Sequence, residues 1–166
     1  MSVNRGKDFE NEIKQALLRC NNVSVDRISD PMAKYLGVRN ICDFIVYKRP
    51  FQYYFECKST RTNTLNFSQS ITENQWLGLA EKVHIEGVIA GIVVWFIEHD
   101  ITTFVPIEAM LEAREAGAKS VHVKDIIENK ITNFVMPGAK RRVLFTYELD
   151  DFFNEIEDYY NARWQV

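Results

Sequence analysis

The spacing of apolar residues predicts three main helices. In residues 5–20 the apolar positions recur at the three- and four-residue intervals of one helix face, at Phe9, Ile13, Ala16 and Leu17. Thr72 is a suitable N-cap for a second helix that extends to about residue 86. The third helix covers residues 149–164, and its aromatic face indicates a core or dimer contact: Leu149, Phe152, Phe153, Ile156, Tyr159, Tyr160 and Trp164.

Shorter apolar or alternating runs predict the strands of a sheet. They lie at residues 23–28, 41–47, 51–58, 88–97, 101–105, 132–135 and 143–145. Pro106 is suited to the first position of a helix over residues 107–116. Residues 60–70 are polar and predict a loop, and residues 121–130 hold at most a single helical turn. This order predicts an α/β fold with a mixed β-sheet flanked by helices on both faces.

Composition narrows the class of protein. A chain of 166 residues with 46% hydrophobic content is expected to form a single domain over residues 1–166. No apolar run approaches the roughly 20 residues of a membrane span, so no membrane partner is expected. The three cysteines are odd in number and show no C-x-x-C spacing, which argues against a zinc site and a disulfide framework. A reducing cytoplasm is the predicted location.

Charge is divided unevenly along the chain. The formal net charge is −3, but residues 1–61 hold 11 Lys and Arg against 7 Asp and Glu. The remaining residues hold 9 basic and 16 acidic side chains. The basic part is suited to an anionic partner such as nucleic acid, although two ordinary solvated faces would give the same division.

Two adjacent predicted strands bring three charged side chains together. Side chains alternate along a strand, so Glu56 and Lys58 share one face and Cys57 points to the other. A hairpin through residues 48–50 can lay Asp43 beside Glu56. Two carboxylates and an ammonium group at one end of a sheet are costly unless solvent or a cation joins them. Oxygen-only ligation suits Mg²⁺, with Mn²⁺ as an alternative.

The E-x-K tripeptide alone is also typical of a solvated strand face. Its context favours a site, because the strand is otherwise aromatic and apolar and a polar loop follows it. Asp43, Glu56 and Lys58 resemble the PD-(D/E)XK signature of restriction-endonuclease-like nucleases. Residues 6–10 (GKDFE) resemble the G-x-x-F-E opening of RecU-type Holliday-junction resolvases, and Gln75 falls in that family's order. Cys57 stands where the family commonly has Ala.

The resemblance implies roles for these residues. It implies a restriction-endonuclease-like core in which Asp43, Glu56 and the backbone carbonyl of Cys57 hold Mg²⁺ or Mn²⁺. Lys58 would orient or deprotonate the attacking water, and Glu10 and Gln75 would complete the catalytic set, although both are also ordinary helix-surface residues. The candidate DNA contacts are basic or hydroxyl side chains near the cluster: Arg5, Lys7, Arg27, Lys34, Arg39, Ser59, Thr60 and Arg61.

The chain departs from the RecU pattern before Asp43. RecU proteins carry a long stalk there, whereas the interval from Ile28 to Asp43 is short. The chain therefore resembles a stalkless, bacteriophage-type relative, which would act in the host cytoplasm. The expected function is resolution of Holliday junctions or branched DNA by a homodimer. A less selective restriction or DNA-end-processing nuclease, or a non-catalytic DNA-binding recombination accessory protein, are the alternatives.

Overall fold

The structure is a computed structural model that describes residues 4–28 and 40–164. The larger helices are α1 (Arg5–Arg19), α3 (Glu73–Ala80), α4 (Ile107–Glu115) and α6 (Asp150–Trp164), and the short ones are α2 (Phe67–Ser70) and α5 (Val123–Ile127). The strands are β1 (Ser24–Arg27), β2 (Phe44–Lys48), β3 (Phe51–Thr60), β4 (Thr64–Asn66), β5 (Val88–Phe96), β6 (Ile101–Pro106), β7 (Ser120–His122), β8 (Phe134–Val135), β9 (Gly138–Arg141) and β10 (Leu144–Tyr147).

The main sheet has six strands in the order β1-β2-β3-β5-β6-β8. The β3–β5 pair is parallel, and the other neighbouring pairs are antiparallel. Strand β5 reads as a continuous apolar run because it lies between β3 and β6 and is buried over most of its length. The predicted mixed sheet is confirmed.

Helices cover both faces of this sheet, which confirms the predicted α/β architecture. On one face, α1 and α6 pack against apolar side chains such as Phe44, Tyr53 and Trp95. On the other face, the core includes Trp76 and Leu79 of α3 together with residues of α4 and α5. Helices α1 and α6 bury most of the stripe that their apolar spacing predicts, because burial of such a stripe against the sheet supplies most of a helix's stability.

The prediction of a loop over residues 60–70 is wrong in part. Residues 64–66 form β4, which pairs with β7, and α2 follows directly. Both strands have only three residues, and a run of that length is too short to display a period. The second predicted helix is also shorter than expected, because α3 ends at Ala80 and turns follow it.

The aromatic face of α6 belongs to the core of this chain. The side of α6 that faces the sheet carries four buried residues: Phe152, Phe153, Ile156 and Tyr160. The Tyr160 hydroxyl donates to the Glu108 carboxylate of α4. These buried side chains are therefore not available as a dimer contact.

Helix α3 is fixed against the segment that leads into β2. The Asn74 side-chain amide donates to the backbone carbonyl of Asn40 over 3.3 Å. Farther along the helix, a Cβ at Gly78 would lie 2.1 Å from Cγ2 of Ile41. The absence of a side chain at Gly78 therefore lets α3 approach this segment closely.

No helix in residues 4–28 and 40–164 is long and apolar enough to cross a membrane.

Gly78→Ala should lower the free energy of unfolding by about 1–2 kcal/mol, because crowding against Ile41 outweighs the better helix propensity of alanine. Urea denaturation measures the change. Gly6→Ala is the matched control, because its Cβ would meet its nearest neighbour, Asn4 Oδ1, at 3.6 Å and should be tolerated. Ile41→Ala in the Gly78→Ala background should recover part of the loss. Equal stability of Gly78→Ala and the parent would show that the contact is not tight.

Candidate active site

The antiparallel pairing of β2 and β3 places Asp43 beside Glu56. Phe44 lies opposite Phe55, and one residue earlier the backbone N–H of Asp43 donates to the Phe55 carbonyl over 3.0 Å. The N–H of Cys57 then donates to Oδ2 of Asp43 over 2.7 Å. The Asp43 side chain thus continues the hydrogen bonding of the hairpin beyond the last paired residue of β2.

Glu56 is a nearly buried carboxylate with two side-chain donors. Its residue surface is only 4% exposed. Lys58 Nζ lies 2.7 Å from Glu56 Oε1, and Gln75 Nε2 donates to the same oxygen over 2.6 Å. The structure therefore brings together Asp43, Glu56, Lys58 and Gln75, as the sequence predicts.

Gln75 is held in place by the first turn of α3. Its Oε1 accepts the backbone N–H of Thr72 over 3.0 Å, and the Thr72 hydroxyl accepts the backbone N–H of Gln75 over 3.3 Å. This reciprocal capping box fixes the Gln75 side chain while leaving its Nε2 for Glu56. Sequence reasoning predicts Thr72 as an N-cap but misses the capping box, although the T-x-x-Q spacing carries that signal.

Burial disfavours the charged forms of both carboxyl groups. It is the largest cause that raises the pKa of Glu56 from 4.5 to about 7, and the charge of Asp43 raises it further against the opposing effects of Lys58 and Gln75. Burial also raises the pKa of Asp43, against the hydrogen bond from Cys57. The charge of each carboxylate disfavours ionisation of the other, as the raising effect of Asp43 on the pKa of Glu56 shows, so protonation of one carboxyl group relieves their repulsion.

This donor set fits a hard divalent cation. A cation beside Asp43 and Glu56 would neutralise the two carboxylates, as protonation of one of them does. In an antiparallel pair, a hydrogen-bonded residue points its N–H and C=O groups toward the same neighbouring strand. The Cys57 N–H points toward Asp43, so the Cys57 carbonyl points to the same side of β3. The Cys57 thiol lies in the core on the α1 side of the sheet and is not a ligand candidate.

The site is not a complete protein cage within residues 4–28 and 40–164, where no group of three or more His, Cys, Asp or Glu residues is placed to hold a metal ion. Mg²⁺ commonly binds to one or two carboxylates and completes its shell with waters or substrate phosphates. Asp43, Glu56 and the Cys57 carbonyl suit that mode of binding.

Glu10 lies near the cluster but is paired elsewhere. Its Oε2 accepts from Nη2 of Arg27 over 2.9 Å. The charge of Glu10 still reaches the cluster, because it contributes to the raised pKa of Asp43. Arg27, a candidate DNA contact, is thus the partner of a candidate catalytic residue.

The other candidate DNA contacts are dispersed around the cluster. Lys7 and Arg61 are exposed, whereas Arg5, Ser59 and Thr60 are partly buried. The Thr60 hydroxyl donates to the Thr64 carbonyl over 3.2 Å and so supports the turn after β3. Two further candidates lie outside the described residues: Lys34 and Arg39.

Comparisons with known proteins find a likeness in structure. No protein-family model matches the sequence, and no curated protein matches it. The chain is similar to the solved structure of Hjc, a Holliday junction resolvase from the archaeal hyperthermophile Archaeoglobus fulgidus. The identity is 16%, the match covers 63% of this chain and 78% of that chain, and the TM-score is 0.47. No residue role is transferred at this identity.

Without divalent metal, the protein should become less stable as the pH rises from about 4.5 to about 7. Unfolded Glu56 releases its proton near pH 4.5 and folded Glu56 near pH 7, so the folded state binds more protons in this window. Glu56→Gln should flatten this dependence, whereas the exposed control Glu98→Gln should keep it. Urea denaturation in EDTA across this range measures it. The same pH dependence in Glu56→Gln and the parent would contradict the assignment.

Proposed function

We propose that this chain is a metal-dependent DNA endonuclease that hydrolyses phosphodiester bonds. The observation that carries the proposal is the cluster at the open end of the β2–β3 hairpin, where Lys58 and Gln75 contact Glu56 and the neighbouring Asp43 accepts from the Cys57 N–H. The set combines a cation site with a hydrogen-bonding ammonium group and a fixed amide. Those are the functional parts that phosphodiester hydrolysis requires: charge relief, an oriented water and help for the leaving oxygen.

Each side chain takes a distinct part in the proposed reaction. Asp43, Glu56 and the Cys57 carbonyl would hold Mg²⁺ or Mn²⁺, which supplies Lewis-acid charge and activates water. Lys58 orients or deprotonates the attacking water and offsets negative charge on the phosphoryl oxygens. Gln75 fixes the Glu56 carboxylate by occupying Oε1 together with Lys58. Glu10 adds negative charge near the cluster, which favours a bound cation.

The proposed substrate is a Holliday junction or another branched DNA, cut by a homodimer. This part rests on the resemblance of residues 6–10 and of the Asp43, Glu56 and Lys58 motif to RecU-type resolvases. Two symmetric nicks require two active sites, and a two-fold dimer supplies them. The short interval between Ile28 and Asp43 favours a second candidate, a less selective nuclease of the same chemistry.

Asp43→Asn and Lys58→Ala should each lower the rate of DNA cleavage in Mg²⁺ by about 100-fold or more while DNA binding persists. The loss is expected because one variant removes a cation ligand and the other removes the group that acts on water. Lys140→Ala is the matched control, because Lys140 pairs with Asp100 in an exposed ion pair. Cleavage of labelled DNA with Mg²⁺, Mn²⁺ or EDTA measures the effect. If both site variants cut DNA as fast as the parent, this cluster is not the active site.

Cleavage of a four-way junction should exceed cleavage of a linear duplex of the same sequence by about 10-fold or more, because a paired dimer can engage both arms at once. Gel assays at one salt concentration compare the two substrates, since phosphate contacts make binding salt-dependent. Equal rates would favour the less selective nuclease. Binding without cutting of any DNA, with metal bound, would favour the accessory protein.

A further inference from the structure

A cavity lies beside the first turn of α3, apart from the candidate active site. Its volume is about 460 Å³, which is within the roughly 300–1,000 Å³ of small-molecule and cofactor sites. Its walls come from α2, α3, the end of α4 and the segment before β7. No residue of the proposed cation site lines it, so this cavity is separate from that site.

The walls of this cavity carry the chemistry that binds phosphate esters. Arg114 and Lys119 supply two exposed positive charges against the single acidic residue Glu73. Thr72 also lines the cavity, and its hydroxyl accepts from the Gln75 N–H, which leaves the hydroxyl proton for a phosphate oxygen; the Ser68 hydroxyl, also in the lining, donates to Asn66 Oδ1. Protein contacts to DNA phosphates come from this set of side chains.

Two buried aromatic rings lie beneath these polar groups. The rings of Phe67 and Trp76 pack edge to face with centroids 5.3 Å apart. The guanidinium of Arg114 lies over the Trp76 ring, 5.0 Å from its centroid. A guanidinium fixed on an aromatic ring presents a flat outer surface, and bases stack on such surfaces. The cavity therefore offers partners to both the phosphate and the base of a nucleotide.

Thr72 connects the cavity to the candidate active site. It lines the cavity, and it forms the capping box with Gln75, whose Nε2 donates to Glu56. Only the first turn of α3 separates the two sites. The cavity and the candidate active site therefore share the first turn of α3.

We propose that this cavity binds one nucleotide, turned out of the base stack, of the DNA strand that runs to the scissile phosphate. The proposal rests on the proposed nuclease function and adds a positioning site to it. Binding of this nucleotide would fix the strand along the first turn of α3. It would thereby hold the neighbouring phosphodiester against Glu56 and Lys58.

Charge variants test the binding. In an Asp43→Asn background with EDTA, Arg114→Gln/Lys119→Gln should bind fluorescent single-stranded DNA about 10-fold more weakly, and Glu73→Gln should bind it more tightly. Lys140→Gln, outside the cavity, should remain within about twofold of its parent. If loss of the Arg114–Trp76 contact impairs folding, Lys119→Gln alone still tests the proposal. The Lys119 side chain is exposed, so its replacement should leave the fold intact.

Abasic substitution tests whether the cavity holds a base. In the otherwise native protein, an abasic residue should slow cleavage most at one fixed position beside the cut. That position-specific loss should disappear in Arg114→Gln/Lys119→Gln, since a merely structural effect of the variant would slow all substrates equally. A parent that cuts DNA, with cavity variants that bind and cut as Lys140→Gln does, would overturn this proposal alone. A parent that neither binds nor cuts DNA would overturn the proposed function with it.

Discussion

The side-by-side placement of two carboxyl groups, Asp43 and Glu56, is the constraint on which the site depends. The hairpin register and the hydrogen bond from Cys57 fix the first, and burial by α3 desolvates the second. Burial raises the pKa of both groups, and a bound proton or a cation relieves their repulsion, because one ammonium group, Lys58, cannot neutralise two buried charges. The fold therefore creates a position beside Asp43 and Glu56 that favours the binding of a cation.

Helix α3 positions the side chain that contacts Glu56 of this carboxyl pair. Its first turn holds Gln75 through the capping box with Thr72, and its close approach at Gly78 fixes the helix against the segment before β2. The same turn also borders the cavity that carries Arg114. One rigid element therefore contacts both sites, which is how a bound strand could be aligned with the reacting groups.

Most of the fold and the placement of Asp43, Glu56 and Lys58 could be predicted from local spacing in the sequence, whereas Gln75 was indicated only by the resemblance to RecU-type resolvases. The alternation around Glu56 and Lys58 specifies their shared face, and the hairpin supplies Asp43. The β4–β7 pair was missed because its three-residue strands are defined by a long-range partner. The cavity was missed for a different reason: Arg114 and Lys119 belong to the acidic part of the chain and meet only when α4 packs beside α3.

The measurement that tests the central claim most directly is a crystal structure of the protein grown with Mn²⁺ above pH 7, with anomalous scattering from the metal. The account predicts an anomalous peak about 2.1 Å from carboxylate oxygens of both Asp43 and Glu56, and its absence in Asp43→Asn crystals. Mn²⁺ bound elsewhere, with none beside the Asp43 and Glu56 carboxyl groups, would contradict the account.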